Sequence, residues 1–381
     1  MSQNDVFMKL AQCLSTTEAN DKNFVFSPLS LHVVLSLIAT GSSDSTRDEL
    51  LGFLKSESVD ELNKLCSDIA SYILADGTPS GGPELRFANG VWVHDKVPLK
   101  LSFVDTVCGV YKASIANLDF SKAKKVVSQV NKWVEDQTKG LIKEVLPSKA
   151  ITPKTRLIIS NALYFKGDWN VKFDKYNTRP YDFYFLNNGS IKVPFMTSYK
   201  KQYLKTTQHC KVLRLPYERG VDFDRQFSMY VFLPHERDGL WNLMEKLSSQ
   251  PGFLEEHIPL RKVEVGQFRL PKFKILFDFE ATKVLKSLGV EKPFVPGSLT
   301  NMVESEEDFY VSNIFQKSFI EVDEEGTEAA AVTTAPVYGT LCASFYIPEN
   351  FVADHPFMFM IREDISGVVL FIGHVMDPSL S

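Results

Sequence analysis

The segment LIISNALYF, residues 157–165, is apolar at nearly every position, and this feature restricts the fold most strongly. A strand with one face in water alternates apolar and polar residues. An unbroken apolar run therefore predicts a central β-strand that is covered on both faces. At 381 residues the chain is long enough to bury such a core without disulfides or a structural metal.

Helical patterns dominate the first third of the chain. Residues 27–41 are apolar nearly all round, and Pro28 and Gly41 stand where a helix can begin and end. This pattern predicts a buried helix. Ser45 and Asp48 have the spacing of a capping box for the helix that follows.

Two further helices are predicted from periodicity. Apolar residues recur every three or four positions from Val59 to Ile73. Residues 126–142 carry a similar pattern, with Gly140 at its end. Residues 75–84 are rich in Gly and Pro and predict a loop.

Strand patterns are concentrated in the later part of the chain. No linker and no internal repeat divides the sequence, so we predict a single α+β domain over residues 1–381. The predicted strands are residues 85–93, 157–165, 227–234, 268–279, 357–361 and 368–375, and residues 281–289 predict a short helix that ends at Gly289.

The composition argues against several classes of function. The net charge of −5 and the pI near 5.9 argue against nucleic-acid binding, which usually requires a basic excess. No segment resembles a secretory signal or a membrane-spanning helix, so we expect no membrane partner and a cytoplasmic location. The five cysteines are scattered without a CxxC pair, which predicts free thiols and neither a disulfide framework nor a zinc site.

No arrangement of residues predicts an enzyme. Asp354 and His355 are adjacent, but the nucleophile motif G-x-S-x-G is absent, and we interpret the pair as a turn with a hydrogen-bonded imidazole. The sequence has no P-loop, dinucleotide fingerprint or metal-binding histidine motif, so no cofactor is predicted. The acids from Glu321 to Glu328 could bind a hard cation, although solvated acids beside a turn are the favoured interpretation, and no metal is predicted.

The segment EVDEEGTEAAAVTTAPVYGT, residues 321–340, fits no ordinary element. It lacks the large apolar residues that anchor a helix or strand in a core, and it is not polar enough for a plain linker. Taken alone, its composition could also indicate an alanine-rich surface helix. The motifs around it decide between these interpretations.

Eight motifs span nearly the whole chain in a characteristic order and spacing. They are NFVFSPLSLHVVLSLIATGSSDSTRDELL (23–51), FANGVWV (87–93), VNKWVEDQTKGLI (130–142), LIISNALYFKGDW (157–169), VPFM (193–196), FSMYVFLP (227–234), EVDEEGTEAAA (321–331) and ADHPFMFMI…GVVLFIGHVMDP (353–378). Together they resemble the serpin family of protease inhibitors. The last motif is most similar to the plant cytosolic serpins.

The resemblance implies a fold and a mechanism. The implied fold places helices around a large, mostly antiparallel or mixed central sheet, with smaller sheets and an exposed reactive-centre loop over about residues 324–350. The implied activity is irreversible suicide-substrate inhibition. In this family the protease cleaves the loop and forms an acyl-enzyme, after which the cut loop inserts as a new strand in the central sheet and traps the protease.

The family's hinge region corresponds to the acidic and alanine-rich part of the unusual segment. Its glycine allows the backbone to swing, and the small residues after it can enter the sheet without a steric barrier. The two acids before the glycine are expected to stay outside the sheet as solvated anchors. The hinge residues are Glu324, Glu325, Gly326, Thr327, Glu328, Ala329, Ala330 and Ala331.

The family's spacing places the reactive bond fourteen residues after the hinge glycine, between Thr340 and Leu341. Plant serpins often carry a basic residue here, and its absence argues against trypsin-like targets. Tyr338, Leu341 or Cys342 could be the attacked residue for a protease that prefers aromatic or apolar side chains. Pro336 removes one backbone donor from the strand that would be inserted.

The family also has a buried polar cluster where the central sheet opens, which we call the shutter. Ser27, Ser30 and Asn161 match it, and Gln316 stands where the family has a histidine. Glutamine offers both a donor and an acceptor and could preserve a satisfied network. An unmet buried group would cost about 1–3 kcal/mol and make the sheet easier to open.

The resemblance also implies a partner, namely a serine protease or a papain-like or metacaspase cysteine protease in covalent complex with a monomeric inhibitor. No heparin site is expected, because residues 75–84 contain no basic residue. A serpin-fold protein that acts as a binder or carrier without inhibiting is the alternative. Pro336 and Thr340 leave that alternative open.

Overall fold

The computed structural model describes residues 3–187, 189–304, 309–326 and 348–380, which form helices packed around three β-sheets. The helices are α1 (Gln3–Thr17), α2 (Pro28–Thr40), α3 (Asp44–Leu54), α4 (Val59–Asp68), α5 (Leu101–Gly109), α6 (Ala123–Gln137), α7 (Leu240–Ser249), α8 (Phe253–His257) and α9 (Thr282–Ser287). The strands are β1 (Phe24–Phe26), β2 (Glu84–His94), β3 (Ser114–Leu118), β4 (Leu157–Lys166), β5 (Arg179–Tyr184), β6 (Ser190–Met196), β7 (Gln202–Thr206), β8 (Cys210–Pro216), β9 (Phe227–Pro234), β10 (Lys262–Val263), β11 (Val265–Pro271), β12 (Phe273–Glu280), β13 (Asn313–Val322), β14 (Glu349–Val352), β15 (Phe357–Glu363) and β16 (Val369–Val375).

The apolar segment at residues 157–165 lies in the middle strand of a five-stranded central sheet. The strand order is β12–β13–β4–β2–β3, and every residue of β4 from Leu157 to Phe165 is buried. One face of β4 contributes Leu163 to the main core, and the other contributes Ile158 to a smaller core with Val130 of α6. The prediction of a central strand covered on both faces is confirmed.

The central sheet contains one feature that matters for the site. β13 and β4 are parallel neighbours from the pair Asn313–Ile158 to the pair Phe319–Tyr164. Their outer neighbours β12 and β2 pair with them in antiparallel orientation. A strand that ran in the opposite direction between β13 and β4 would therefore be antiparallel to both.

The other two sheets join distant parts of the chain into a single domain. The larger has the order β1–β16–β15–β9–β8–β7–β10, and the smaller has the order β14–β11–β6–β5. The strand predicted over residues 268–279 is wrong as one element, because β11 ends at Pro271 in the smaller sheet and β12 begins at Phe273 in the central sheet. Lys272 lies at this change of sheet, where Pro271 cannot donate a backbone hydrogen bond.

The predicted buried helix is confirmed as α2. Ser27 caps its first turn by accepting a 3.1 Å hydrogen bond from the backbone N–H of Ser30, and Gly41 follows its last residue. The capping box at Ser45 and Asp48 is wrong, because α3 begins earlier, at Asp44. The side chain of Ser43, the residue before α3, donates to the carbonyl oxygen of Ser298 instead of capping the helix.

Within the described residues, no helix has the length and apolarity needed to cross a membrane. The same part of the chain contains no cluster of His, Cys, Asp or Glu suited to a metal ion.

Candidate functional site

The chain reverses direction directly after β13, and this turn is the described part of the predicted hinge. Asp323 and Gly326 face each other as an antiparallel bridge, with Glu324 and Glu325 at the tip. Each of the two backbone N–H groups of the bridge lies 3.4 Å from the other residue's carbonyl oxygen. Gly326, the last described residue of the turn, is therefore antiparallel to Asp323.

Gly326 is required by its backbone geometry. Its φ of 110° lies in a region that residues with a Cβ rarely adopt. A Cβ at this position would also lie 2.3 Å from the carbonyl oxygen of Gly167 and 2.4 Å from the backbone nitrogen of Trp169. Glycine therefore permits both the turn and a close approach to the segment that follows β4.

Backbone hydrogen bonds dock the turn against residues 169–173. The backbone N–H of Trp169 donates to the carbonyl oxygen of Glu325 at 2.8 Å, and its indole Nε1 donates to that of Asp323 at 2.8 Å. The backbone N–H of Phe173 donates to the carbonyl oxygen of Glu324 at 2.8 Å. Three consecutive carbonyl groups of the turn are thereby satisfied by one neighbouring segment.

The carboxylate of Glu324 is buried and doubly hydrogen-bonded. It accepts from Nζ of Lys272 at 2.7 Å and from the hydroxyl of Thr178 at 2.7 Å. Burial raises the pKa of Glu324, but the hydrogen bonds from Lys272 and Thr178 outweigh it and hold the pKa below its usual value. The charged form is therefore the one that the fold stabilises.

Glu325 is also buried and forms an ion pair with Lys175, whose pKa is raised mainly by this hydrogen bond. Its other carboxylate oxygen, Oε2, has no hydrogen-bond partner among the described residues. The negative charge of the preceding Asp323 is less well stabilised by its surroundings, because burial raises the pKa of its carboxyl. We name Asp323–Gly326 and the side chains of Lys175, Thr178 and Lys272 the hinge anchor.

The expectation that Glu324 and Glu325 stay outside as solvated anchors is wrong. Their relative exposures are 3% and 6%. The physical reason is that Lys272 and Lys175 place opposite charges beside the two carboxylates. The turn also docks against residues 169–173, which bury the two side chains. They anchor the turn through buried ion pairs.

The hinge anchor lies between the ends of two central strands. Pairing between β13 and β4 stops at Phe319 and Tyr164, and both strands continue beyond that pair. At the far end Gly326 is bridged to Asp323 on the β13 side and contacts Gly167 on the β4 side. The turn thus occupies the point at which a new strand would enter between them.

The shutter lies further down the same strand. Gln316 donates from Nε2 to the carbonyl oxygen of Ser27 at 2.9 Å and accepts from the backbone N–H of Ser27 at 3.3 Å. Both hydrogen-bonding functions of the glutamine are therefore used, as its donor–acceptor character suggested. These bonds connect the middle of β13 to the start of α2.

Asn161 belongs to the same buried region but is not joined to this network, and Ser30 is joined to it through its backbone N–H, which donates to the hydroxyl of Ser27. Asn161 is the register partner of Gln316 on one side and of Asn89 on the other. The side-chain amides of Asn161 and Asn89 and the hydroxyl of Ser30 have no hydrogen-bond partner among the described residues. The structure thus brings the four predicted shutter residues together, while hydrogen bonds link Ser27 to Ser30 and to Gln316 only.

The protein-family model described as Serpin (serine protease inhibitor) matches residues 1–378. The chain belongs to the serpin family. It is 50% identical over 388 aligned residues to Serpin-ZXA of Oryza sativa subsp. japonica, covering 100% of this chain and 97% of the relative. It is 49% identical to Serpin-ZX of Arabidopsis thaliana, covering 99% and 97%.

Solved serpin structures share its fold. The Arabidopsis AtSerpin1 structure, described as the native stressed conformation, has a TM-score of 0.93 at 47% identity and covers 99% of this chain and 97% of its own. Serpin48 of the insect Tenebrio molitor has a TM-score of 0.84 at 29% identity, covering 98% and 96%. The predicted family, fold and protease-inhibitor function are thereby confirmed, and the similarity to the rice and Arabidopsis proteins confirms the predicted likeness to plant serpins.

Part of the predicted serpin machinery lies outside the described residues. This holds for hinge residues Thr327, Glu328, Ala329, Ala330 and Ala331, for the reactive bond Thr340–Leu341, and for Pro336, Tyr338 and Cys342. Their roles, and the loop bounds of 324–350, stay predictions. The described ends of that loop are the hinge turn and the start of β14 at Glu349.

Sequence reasoning missed most partners of this serpin's hinge. Trp169 is the last residue of the motif over 157–169 but received no role. At the shutter, Asn89 is a polar residue within the largely apolar second half of the segment 85–93, which was a usable signal. Lys175, Thr178 and Lys272 carry no local signal, because they approach Glu324 and Glu325 only in the folded chain.

The interpretation of Asp354 and His355 as a structural turn is confirmed. His355 is buried, and its Nδ1 lies 2.8 Å from Asp354 Oδ1 while its Nε2 lies 3.0 Å from the carbonyl oxygen of Pro234. Both ring nitrogens are therefore occupied by structural partners.

Proposed function

We propose that this serpin is a suicide-substrate inhibitor whose loop is cleaved near Thr340–Leu341 and inserts from the hinge between β13 and β4, trapping a protease as a covalent acyl-enzyme. The observation that carries this proposal is the turn at Asp323–Gly326. It already reverses the chain beside β13 and packs against the segment that follows β4. Residues after it need only continue in the same direction to enter the sheet.

Insertion is favourable because of the orientation of the two strands. One parallel pairing would be replaced by two antiparallel pairings, which are slightly more stable per residue. An inserted strand of about 14 residues could add on the order of ten ladder hydrogen bonds, each contributing about 1 kcal/mol net. The uncut protein is then a kinetically held state.

The hinge anchor fixes the position of the chain at the start of the segment that we propose to insert. Because Trp169 and Phe173 hold the turn, its position beside the entry point is fixed before cleavage. Insertion would therefore start from a fixed end, which reduces the entropic cost of bringing strand and sheet together.

The target class follows from the predicted reactive bond. Thr340 is not basic, and aromatic or apolar residues lie around it, so we propose targets among serine or papain-like or metacaspase cysteine proteases that accept such side chains. We further propose a monomeric inhibitor in the cytoplasm. Support for that location comes from Cys13, Cys66, Cys108 and Cys210, which are free thiols as expected in a reducing compartment.

The experiment is incubation of the purified chain with chymotrypsin, trypsin and papain, followed by SDS gel electrophoresis and mass mapping of the cut. We expect an SDS-resistant complex with at least one protease and a cut within about two residues of Thr340. Clean cleavage with raised thermal stability would instead support insertion without trapping. Cleavage with neither complex nor stabilisation would contradict the mechanism.

A substitution at the first residue beyond the described turn tests insertion separately. Thr327→Arg should give cleavage without a covalent complex, because a large charged side chain cannot be buried as the hinge enters the sheet. Thr327→Ser is the matched control and should retain the complex. Complex formation by the arginine variant at the level of the control would contradict the hinge assignment.

A further inference from the structure

A basic cleft lies beside the hinge anchor. Its volume is about 330 Å³, within the range of small-molecule sites, and it is formed by residues 169–171 after β4, by parts of β7 and β8, and by Lys262 of β10. No aspartate or glutamate among the described residues is part of its lining. The cationic residues of the lining are Lys200, Lys201, Arg214, Arg219 and Lys262.

Most of this positive charge is not neutralised by described carboxylates. Arg214 pairs with Asp364 at 2.6 Å, and Lys201 pairs with Glu264 at 3.5 Å in an exposed position. The other three cations of the lining form no ion pair with a carboxylate in the described part of the chain. This local excess contrasts with the net charge of −5 of the whole protein.

Two of the cations flank one aromatic side chain, because Arg214 of β8 and Lys262 of β10 are the register partners of Tyr203 on the two sides of β7. The Cζ atom of Arg214 lies 5.1 Å, and Nζ of Lys262 lies 5.2 Å, from the centroid of the Tyr203 ring. Each contact is favourable as a cation–π interaction. Arg214 and Lys262 therefore extend the positive charge of the cleft across three neighbouring strands.

We propose that this cleft binds a compact anion that carries two or more phosphate or sulfate groups. Guanidinium groups present several donors in a plane that matches the oxygens of such groups, and lysine ammonium groups add point charges. Arg219 is positioned for this role, because its Cζ lies 4.8 Å from the ring centroid of Phe223 and it has no carboxylate partner among the described residues. The concave shape and limited volume favour a small multivalent anion over a polymer.

The cleft shares Trp169 with the hinge anchor. Trp169 is part of the cleft lining and also donates two hydrogen bonds to the hinge turn. A bound anion would therefore lie next to the residue that holds the hinge. Binding itself does not depend on the proposed inhibitory mechanism and can be measured on the uncut protein.

The test is isothermal titration of the full chain with sodium tripolyphosphate and, separately, with sucrose octasulfate at low ionic strength. The cleft variant is Lys200→Gln with Lys262→Gln, and both lysines are exposed, so the fold should be retained. The matched control is Lys143→Gln with Lys149→Gln, which removes the same charge from an exposed region outside the cleft.

We expect one anion to bind per chain, about tenfold more weakly in the cleft variant, as the loss of two partly exposed charge contacts implies. The control should bind like the wild type. Tighter binding of tripolyphosphate supports a phosphate ligand, and tighter binding of the octasulfate supports a sulfated one. Absence of binding by both anions, or equal weakening in the control, would overturn the proposal.

Discussion

The shutter and the hinge anchor both involve β13, but they satisfy their polar groups in different ways. At the hinge anchor, the Glu324 carboxylate has a hydrogen bond to each oxygen, one of them from a lysine. At the shutter the buried groups are neutral: Ser27 is hydrogen-bonded to Gln316 and to the backbone N–H of Ser30, whereas the amide of Asn161 has no described partner. The turn that follows β13 is thus held by ion pairs, whereas the register pair of Gln316 and Asn161 leaves the amide of Asn161 on β4 without a described partner.

This difference suits the two roles that the proposed insertion gives to the central sheet, which are to hold the hinge turn and to open between β13 and β4. A buried polar group without a partner costs about 1–3 kcal/mol, and the amide of Asn161 lies within the β13–β4 pair that the proposed insertion would separate. Charge-assisted hydrogen bonds at Glu324 keep the hinge in place while the sheet opens. The sheet can therefore separate without releasing the segment that is to enter it.

The largest effect is expected for Gly326→Ala. The new Cβ would meet backbone atoms of Gly167 and Trp169 and would require an unfavourable φ, so the free energy of unfolding should fall by about 2–3 kcal/mol, with loss of the covalent complex.

Gly52→Ala is the matched control, because Gly52 lies in α3 with no described atom outside its own helix within 4 Å of its Cβ position. That variant should be as stable as the wild type or up to about 1 kcal/mol more stable. Thermal unfolding of both variants checks this, and equal stability of Gly326→Ala and wild type would contradict the anchor.

The next largest effect is expected at the shutter, where the stability contributions of two buried amides can be compared. Gln316→Leu removes both hydrogen-bond partners from the backbone of Ser27 and should destabilise the protein by about 2 kcal/mol. Asn161→Leu removes a buried amide that has no described partner, so we expect no loss of stability or a small gain. Urea unfolding measures both. A loss for Asn161→Leu as large as that for Gln316→Leu would show that the two amides are equally well satisfied.

A smaller effect is expected at the end of β13. Glu324→Gln keeps the shape of the side chain but removes the charge that faces Lys272, and it should cost about 1 kcal/mol. Glu321→Gln, three residues earlier and within β13, is the control, because the Glu321–Lys274 pair is exposed and its atoms are 3.6 Å apart. Its cost should stay below about 0.5 kcal/mol. Equal losses of stability in the two variants would contradict a special role for the buried Glu324–Lys272 ion pair.

The smallest effect is the pH dependence of the Glu324 contribution. Because the pKa of Glu324 is lower in the folded protein, its stabilising effect is complete above its usual value of 4.5 and is lost as the pH falls through the folded pKa. The stability difference between wild type and Glu324→Gln should therefore shrink between pH 7 and pH 3. Asp323 is present in both proteins, and its pKa is raised mainly by burial, with a smaller contribution from the charge of Glu324. A difference that grows on acidification would contradict the assignment.

Local patterns were sufficient to predict much of the fold. The buried strand at 157–165 and the helix between Pro28 and Gly41 follow from apolar periodicity and from the termini that these residues favour. The strand over 268–279 was predicted as one element because its apolar pattern continues across Pro271, while the change of sheet at that point depends on tertiary packing.

The site was less predictable than the fold. Gly326 was identified from its motif, and the structure adds the positive φ and the contact with Gly167 that require glycine. The burial of Glu324 could not be predicted, because Thr178 and Lys272 lie 146 and 52 residues away in the chain. Acidic residues in a polar sequence are normally exposed, and only these long-range partners reverse that expectation.

Hydrogen–deuterium exchange before and after cleavage of the loop tests the central claim, that residues beyond Gly326 become a strand between β13 and β4. Mass spectrometry would follow a peptide from residues 327–335 together with the peptides of both strands. The account predicts that the loop peptide becomes strongly protected after cleavage, while β13 and β4 remain protected. A loop peptide that still exchanges freely in a cleaved, fully folded protein would contradict insertion.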